Sequence, residues 1–410
     1  MTERLYYNDS FLKEFDATVL SCVNESASAT DGDRWRVVLD RTAFYPTSGG
    51  QPHDTGMLGE ARVVEVLDDE SRNGAKHDVI HFTDRAIPLG EVHGTIDWRR
   101  RFDHIQQHTG QHLLSAAFIK LFNLPTVSFH LGREISTIDV AAPSLDAKQL
   151  EAAELRTNEI IFDDRPVNIH YGTAEELAAA GVRKQVDREG VLRAIEIEGF
   201  DRQPCGGTHV ARTGQIGIIL LRRLEKVKQN WRVEFVCGAR AARAARSDAS
   251  SLGEAARLLS CGPGEVPSMV ARALEERQEG HRARQRLTAE LAEVQALVVL
   301  TTARATGKIG DPGVITRVLD ESDASYARML ATNVVAQGRV RALIGTRGGH
   351  VIFAQSTGLD GDMNALLREC LLAAAGKGGG SKDFAQGSIS DTSRVEEILA
   401  KAAEKLGVVK

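Results

Sequence analysis

The sequence predicts an α+β protein in four parts. These are an N-terminal small β-barrel over residues 1–95, an α+β module over 96–246, a helical, coiled-coil-like linker over 247–305 and a C-terminal α/β domain over 306–410. Three observations carry the division. Short runs of β-branched and apolar residues, separated by polar turns, fill the first part. Strand-like and helix-like stretches then alternate around a histidine-rich helix and a Cys-Gly-Gly-Thr-His turn. From about 248 to 302 the composition shifts to Ala, Glu, Arg and Leu, and strand patterns return after it. With 410 residues the chain has length for two to four domains with buried cores.

In the first part, residues 17–23, 35–40, 62–67 and 78–82 read as strands, and strands at that spacing predict a small barrel. Between the second and third lies 42–56, with Thr42, Phe44, Tyr45, Pro46, Ser48, Gly49, Gly50 and Gln51. It reads as a surface turn, or as a loop whose glycine backbone lets a ligand come close. Trp98, Arg99, Arg100 and Arg101 lead into a helix carrying His104, His108 and His112, which sets three guanidinium groups beside whatever those histidines bind. Strands are expected at 126–131, 136–140, 167–171, 192–197, 216–221 and 232–236. A helix is expected from an N-cap at Ser144 to about Phe162, and a shorter one opens at Thr173.

In the linker, Leu287, Leu291, Val294 and Val298 follow the four-three-four spacing of a coiled-coil seam, and Gly262-Pro263-Gly264 interrupts the helical pattern before it. Two or three heptads leave open whether this is a linker, a hairpin or a dimer contact. In the last part, 313–319, 341–345 and 350–354 read as strands and 364–372 as an amphipathic helix. The helix leads to Lys377, Gly378, Gly379, Gly380 and Lys382, read either as a cradle presenting N–H groups to phosphate or as a flexible loop. The order of residues does not fit a P-loop.

Composition narrows the function classes. Hydrophobic content of 42% and charged content of 26% are those of an ordinary globular chain. A formal net charge of −5 argues against a wholesale basic coat, so nucleic-acid contacts have to come from local patches. The stretch 222–246 is such a patch: Arg222, Arg223, Lys226, Lys228, Arg232, Arg240, Arg243 and Arg246 face only Glu225 and Glu234 within it. It reads as a solvated face, or as a phosphate-contacting one given its place just after the Cys-Gly-Gly-Thr-His turn. The amino terminus has acidic residues and no apolar run, and no segment is long enough to span a membrane. Five scattered cysteines suit free thiols in a reducing compartment, so a cytoplasmic location without membrane partners is expected.

The chemistry concentrates in two stretches. Residues four apart on a helix share a face, so His108 and His112 can bind one metal ion together. Cys205 and His209, spaced by Gly206, Gly207 and Thr208, supply a thiolate and a third imidazole from a turn. Mixed nitrogen and sulfur donors favour zinc, which makes 96–246 a zinc-containing module. His104, one turn earlier, reads as a replacement ligand or as a group orienting the others.

These same residues resemble the stand-alone alanyl-tRNA editing proteins of the AlaX type, which are similar to the editing and C-terminal regions of alanyl-tRNA synthetase. The resemblance rests on the helix around His108-Thr109-Gly110-Gln111-His112 and on Cys205-Gly206-Gly207-Thr208-His209. It is supported by Phe44-Tyr45-Pro46 to Gln51, and by Arg232-Val233-Glu234-Phe235 before Cys237-Gly238. The family usually shows glycine where Ser48 stands, and the loop is expected to survive that change. The C-terminal region resembles the DHH-associated domain, without the DHH motif itself.

The resemblance implies a zinc-dependent aminoacyl-tRNA deacylase, an ester hydrolase that clears serine, and in a second reading glycine, from tRNA(Ala) in trans. It implies that Gln51 lies at the catalytic loop and that Thr42 hydrogen-bonds the serine hydroxyl, a contact alanine cannot make. Arg99, Arg100, Arg222, Arg223, Lys226, Lys228, Lys377, Gly378, Gly379 and Gly380 are the expected tRNA contacts. Four protein ligands would close the zinc, whereas hydrolysis wants an open position. Either one ligand is loose, the metal becomes five-coordinate, or zinc organises the pocket. The competing reading is a tRNA-binding scaffold with structural zinc and no deacylase activity. Homodimerisation through the linker or the C-terminal domain is left open.

Overall fold

The computed structural model describes residues 1–25, 34–69, 78–183, 190–305, 311–320 and 323–407. The chain forms two units, Met1–Glu254 and Ala255–Lys410. In the first, among the described residues, the expected barrel closes from six strands. Going round, they are Glu14–Asn24, Trp35–Leu39, Val79–Thr83, Ala61–Asp68, Gly56–Leu58 and Gly90–Ile96, each antiparallel to its neighbours. Residues of alternate parity point inward, and Phe15, Val19, Val37, Leu39, Phe44, Leu58, Val63 and Val66 fill the interior. Gly56–Leu58 and Gly90–Ile96 escape a reading by composition because one is very short and the other has Gly90 and Gly94 among its apolar-side positions.

The stretch 42–56 is held as closely as the strands. Ser48 and Gln51 exchange backbone hydrogen bonds, with Gly49 at φ 54° and Gly50 at φ 86° between them. Two positive φ angles define a type I′ turn and demand these two glycines. Ser48 stands outside the positive-φ pair, so its departure from the family pattern costs the turn nothing. A Cβ on Gly50 would also meet the Phe129 ring at 3.0 Å.

The histidine helix, Trp98–Phe122, starts at Asp97, whose side chain accepts the Arg100 N–H, and ends at Asn123 in the left-handed conformation. It is buried continuously from His104 to Phe118, so it runs through the middle of the module instead of lying on its surface. Around it stand a four-stranded antiparallel sheet and a three-stranded one. The first runs Ile219–Val227, Asn230–Cys237, Ser136–Val140, Thr126–Leu131, and the second Val167–Gly172, Leu192–Ile197, Asp201–Pro204. Two boundaries differ from expectation. The helix Ala147–Phe162 is capped by Asp146, not Ser144, because Asp146 and Gln149 complete a reciprocal capping box. The strand expected from 216 begins at Ile219, since Thr213–Ile216 coils into a 3₁₀ turn and Gly217 takes φ 83°.

Arg101 does not stand beside the histidines' ligand face as expected. It is fully buried and rivets the helix to the barrel. Its Nε donates to Asp54 Oδ2 at 2.9 Å, Nη1 to Ser10 O at 3.0 Å, and Nη2 to Ala43 O and Asp54 Oδ2 at 2.5 Å.

In the second unit the helix Val266–Ala305 packs through Ala292, Ala296, Val299 and Leu300. The row of the seam faces outward: Leu287 is 59% exposed and Val294 also 59%. The cause is composition, since the alanine row lets the neighbouring helix Ala324–Ala336 approach more closely than a leucine row would. Five strands follow in the order Gly313–Leu319, Val340–Thr346, His350–Gln355, Phe384–Ser388, Lys377–Gly380. The first pair is parallel and crossed by Ala324–Ala336, and Met363–Leu372 and Val395–Lys405 cover the other face. The glycine-rich stretch is therefore an edge strand, not a loop. Its glycines are packing residues, because a Cβ on Gly378 or Gly387 would strike Leu371 at 2.8 or 2.5 Å.

Replacing Arg101 by Ala would strand the buried Asp54 carboxylate. We predict a loss of about 3–5 kcal/mol in urea unfolding of the full chain, and an unchanged midpoint and slope would show that the pair is dispensable.

Candidate metal centre

His108 and His112 stand one helical turn apart, ring centroids 5.1 Å from each other, in the buried span of the helix. The turn after Asp201–Pro204 brings the His209 ring to 4.5 Å from His108 and 4.6 Å from His112. Cys205 Sγ lies 3.5 Å from His108 Nε2 and 3.2 Å from His209 Nε2. The ligand atoms of all four residues fall within 4.8 Å of one another, and His104 is outside the group. Bonds of about 2.3 Å to sulfur and about 2.0–2.1 Å to nitrogen would separate S and N by about 3.5 Å around one tetrahedral zinc ion. The donor set fits that ion.

Hydrogen bonds behind the ligands fix which nitrogen faces the centre. His108 Nδ1–H donates to Gln51 Oε1 at 2.8 Å, which turns Nε2 toward Cys205. Gln51 Oε1 also accepts Thr208 N–H at 3.2 Å, and its Nε2 donates to Thr208 Oγ1 at 2.8 Å. His209 Nδ1–H donates to Thr109 Oγ1 at 3.2 Å, while that hydroxyl donates to Ile105 O. This is the arrangement by which neighbouring groups orient metal-binding imidazoles. Arg193 holds the turn from behind. Its Nη1 donates to Cys205 O at 2.7 Å and Gly207 O at 2.9 Å, and its Nε to Tyr7 O at 3.0 Å.

Burial sets the protonation. It pulls the His108 pKa down to about 3 and holds His112 and His209 well below the ordinary imidazole range, so all three keep a lone pair at neutral pH. Burial pushes the Cys205 thiol up, against the Gly207 N–H and the Arg193 charge, and a cation at the centre would favour its thiolate. Burial, with Arg100 nearby, also brings His104 down to about 3.

The four expected ligands and Gln51 thus come together, with Gln51 fully buried behind His108. Thr42 is likewise fully buried, and its hydroxyl is engaged inside the barrel: it accepts Phe44 N–H at 3.0 Å and lies 2.8 Å from His81 Nε2. His81, held near pKa 4 by burial, gives its Nδ1–H to Val37 O, so Thr42 is the donor to Nε2. Among the basic residues, Arg100 Nε donates to His53 O, Arg222 pairs with Asp248, and Arg223 lies 3.9 Å from Glu225. Lys226 rests over Trp231. Arg99 and Lys228 are in the same unit, whereas Lys377 to Gly380 form the edge strand of the other. Thr109, Thr208 and Arg193 were not singled out from the sequence. The two threonines adjoin ligands and could have been marked for that, but Arg193 has no signal before the fold brings its strand to the turn.

Comparison with known proteins gives the family. The model of the threonyl and alanyl tRNA synthetase second additional domain matches residues 192–234, and that of the class II (A) tRNA synthetases matches residues 1–100. The alanyl-tRNA editing protein AlaX-L of Pyrococcus horikoshii is 34% identical over 415 residues, covering 99% of this chain and 98% of the relative. The alanyl-tRNA editing protein Aarsd1 of Mus musculus is 31% identical over 97% of this chain and 96% of its own length. The alanine–tRNA ligase of Pyrococcus furiosus is 30% identical over 99% of this chain but 44% of the ligase. The chain belongs to the alanyl-tRNA editing protein family.

Gly207 and Gly206 offer a paired test. A Cβ on Gly207 would fall 2.1 Å from His108 Cε1, whereas one on Gly206 would meet only the Tyr7 ring, at 3.6 Å. We predict that Gly207→Ala loses bound zinc by elemental analysis and Gly206→Ala keeps it. Equal zinc in both would mean that His108 is not a ligand.

Proposed function

We propose that the protein is a trans-editing hydrolase that removes serine, and glycine as a second substrate, from mischarged tRNA(Ala) with a zinc ion at His108, His112, Cys205 and His209. The convergence of those four donor atoms within 4.8 Å, in a chain of this family, carries the reading. Bound zinc would supply Lewis acidity for attack of water on the ester carbonyl. Gln51 positions His108, and through it the centre. Thr42 donates its O–H to His81 and accepts Phe44 N–H, so toward substrate it has one lone pair left, to which a serine hydroxyl can donate and alanine cannot. Arg99, Arg100, Arg222, Arg223, Lys226, Lys228 and the strand Lys377–Gly380 are the proposed tRNA contacts. In this reading 96–246 is the editing module, 306–410 a DHH-associated domain, and the cytoplasm the location. The outward row Leu287, Leu291, Val294 and Val298 is the proposed face for pairing with a second copy, checked by light scattering across concentrations; a monomer throughout would remove it.

The deciding experiment compares seryl-tRNA(Ala) with alanyl-tRNA(Ala), with and without a zinc chelator. The expected result is selective loss of serine, abolished by the chelator and restored by zinc. Cys205→Ala is expected to lower zinc content and rate together. The closed set of four protein donors favours a second reading, a tRNA-binding scaffold with structural zinc. No hydrolysis by zinc-loaded, folded protein that still binds tRNA would establish it.

A further inference from the structure

Tyr7 stands at the turn that carries Cys205 and His209, with a hydroxyl that the fold leaves unused. It closes the 3₁₀ turn Leu5–Tyr7 ahead of the barrel and is half-buried. A Cβ on Gly206, the residue after Cys205, would have nothing within 4 Å except Tyr7, whose phenol oxygen is nearest at 3.6 Å. That oxygen therefore borders open space at the ligand turn. The backbone of Tyr7 is held from the α+β module: its carbonyl accepts Arg193 Nε at 3.0 Å and the Tyr171 hydroxyl at 3.1 Å.

The neighbouring tyrosines spend their hydroxyl groups. Tyr45 donates to Ser48 O at 3.1 Å, Tyr171 donates to Tyr7 O, and the Tyr6 oxygen accepts Arg4 Nη1 at 3.1 Å. Among the described residues the Tyr7 hydroxyl has no hydrogen-bond partner. The charge around it is positive. Arg4 and Arg193 lie 5.7 and 5.6 Å from the Tyr7 ring centroid. Arg4 is answered by Asp68 at 2.7 Å. Arg193 is only 8% exposed, no carboxylate pairs with it among the described residues, and its Nη2 has no partner. A buried, unanswered guanidinium disfavours a substrate ammonium beside it and favours negative charge. Cations against the ring also polarise the phenol into a stronger hydrogen-bond donor. A donor fixed in advance, in a positive and partly desolvated place, stabilises charge that develops in a transition state.

We propose that Tyr7 is a catalytic residue of the hydrolysis, donating its O–H to the carbonyl oxygen of the aminoacyl ester as that oxygen becomes negative. This role rests on the hydrolase reading above. The oxygen of water bonds to the carbonyl carbon, and the π pair moves onto the carbonyl oxygen, where the Tyr7 O–H meets it. The pair then returns, the bond to the ribose oxygen breaks, and that oxygen leaves with a proton given up by the water. Tyr7 keeps its own proton throughout.

The test uses Tyr7→Phe in the zinc-loaded full chain. The change removes an oxygen that bonds to nothing in the free protein and keeps the ring and the carbonyl, so the thermal midpoint and zinc content should match wild type. With seryl-tRNA(Ala), kcat is expected to fall about ten- to a hundredfold. KM, and the affinity for an analogue that carries serine through an amide instead of the ester, should stay within about twofold. Glycyl-tRNA(Ala) should slow by the same factor, because the ester carbonyl is common to both. A Tyr7 that only supports the ligand turn predicts wild-type kcat, and that result overturns the proposal. So does a rise in KM alone, or a loss confined to serine, which would assign the hydroxyl to the serine side chain. Loss of zinc or of thermal stability in the variant would make the hydroxyl structural and overturns it as well. A wild-type chain that hydrolyses neither ester would instead overturn the hydrolase reading, and this role with it.

Discussion

The hydrogen bond that His108 donates to Gln51 joins three parts of the chain at one point. Gln51 comes from the barrel turn, His108 from the helix, and Thr208, which shares the Gln51 amide, from the Cys-Gly-Gly-Thr-His turn. All three polar groups are buried, so each is costly unless the others are in place. Much of the surrounding structure serves to hold them. The type I′ turn aims Gln51, the Arg101–Asp54 pair sets the barrel against the helix, and Arg193 clamps the ligand turn. The barrel is thus part of the candidate metal centre, although it contributes none of the four donors.

What could be read from the sequence was what is local. The barrel, the histidine helix and the strands Leu192–Ile197 and Gly313–Leu319 follow from period and composition, and the ligands from spacing on one helix and one turn. What could not be read depends on partners far along the chain. The helices Ala324–Ala336 and Val395–Lys405 are an exception, since their buried faces, Tyr326, Ala327, Leu330, Ala331 and Val334 in one and Val395, Ile398, Leu399 and Ala402 in the other, are local patterns at helical spacing. The glycines at 378 and 387 look like a loop until Leu371 packs against them. In the linker the row Leu287, Leu291, Val294 and Val298 follows from spacing, but that Ala292, Ala296 and Leu300 make the packing face depends on the helix Ala324–Ala336.

Charge behaves the same way. Within 222–246 two glutamates oppose eight basic residues. The fold adds acids from elsewhere: Asp248 meets Arg222, Asp139 meets Arg232 at 2.7 Å, and Asp103 meets Arg240 at 2.6 Å. Arg240, 6% exposed, is a brace between helices and not an RNA contact. A basic run in sequence is therefore an upper bound on the cations left for phosphate.

The tension between four donors and an open position also has a structural side. His108 and His209 are each anchored through Nδ1, by Gln51 and Thr109. Cys205 Sγ has a single backbone contact, Gly207 N–H at 3.4 Å, and no hydrogen bond anchors the His112 ring among the described residues. A centre that admits water or an ester oxygen would yield where its ligands are least held, and that is on the Cys205 and His112 side. Cys205 is also the least enclosed of the four. The anchored pair would keep the ion in register with the barrel turn while the other pair gives way. In a zinc hydrolase, strong anchors on one edge and weak ones on the other would let a closed donor set open toward substrate.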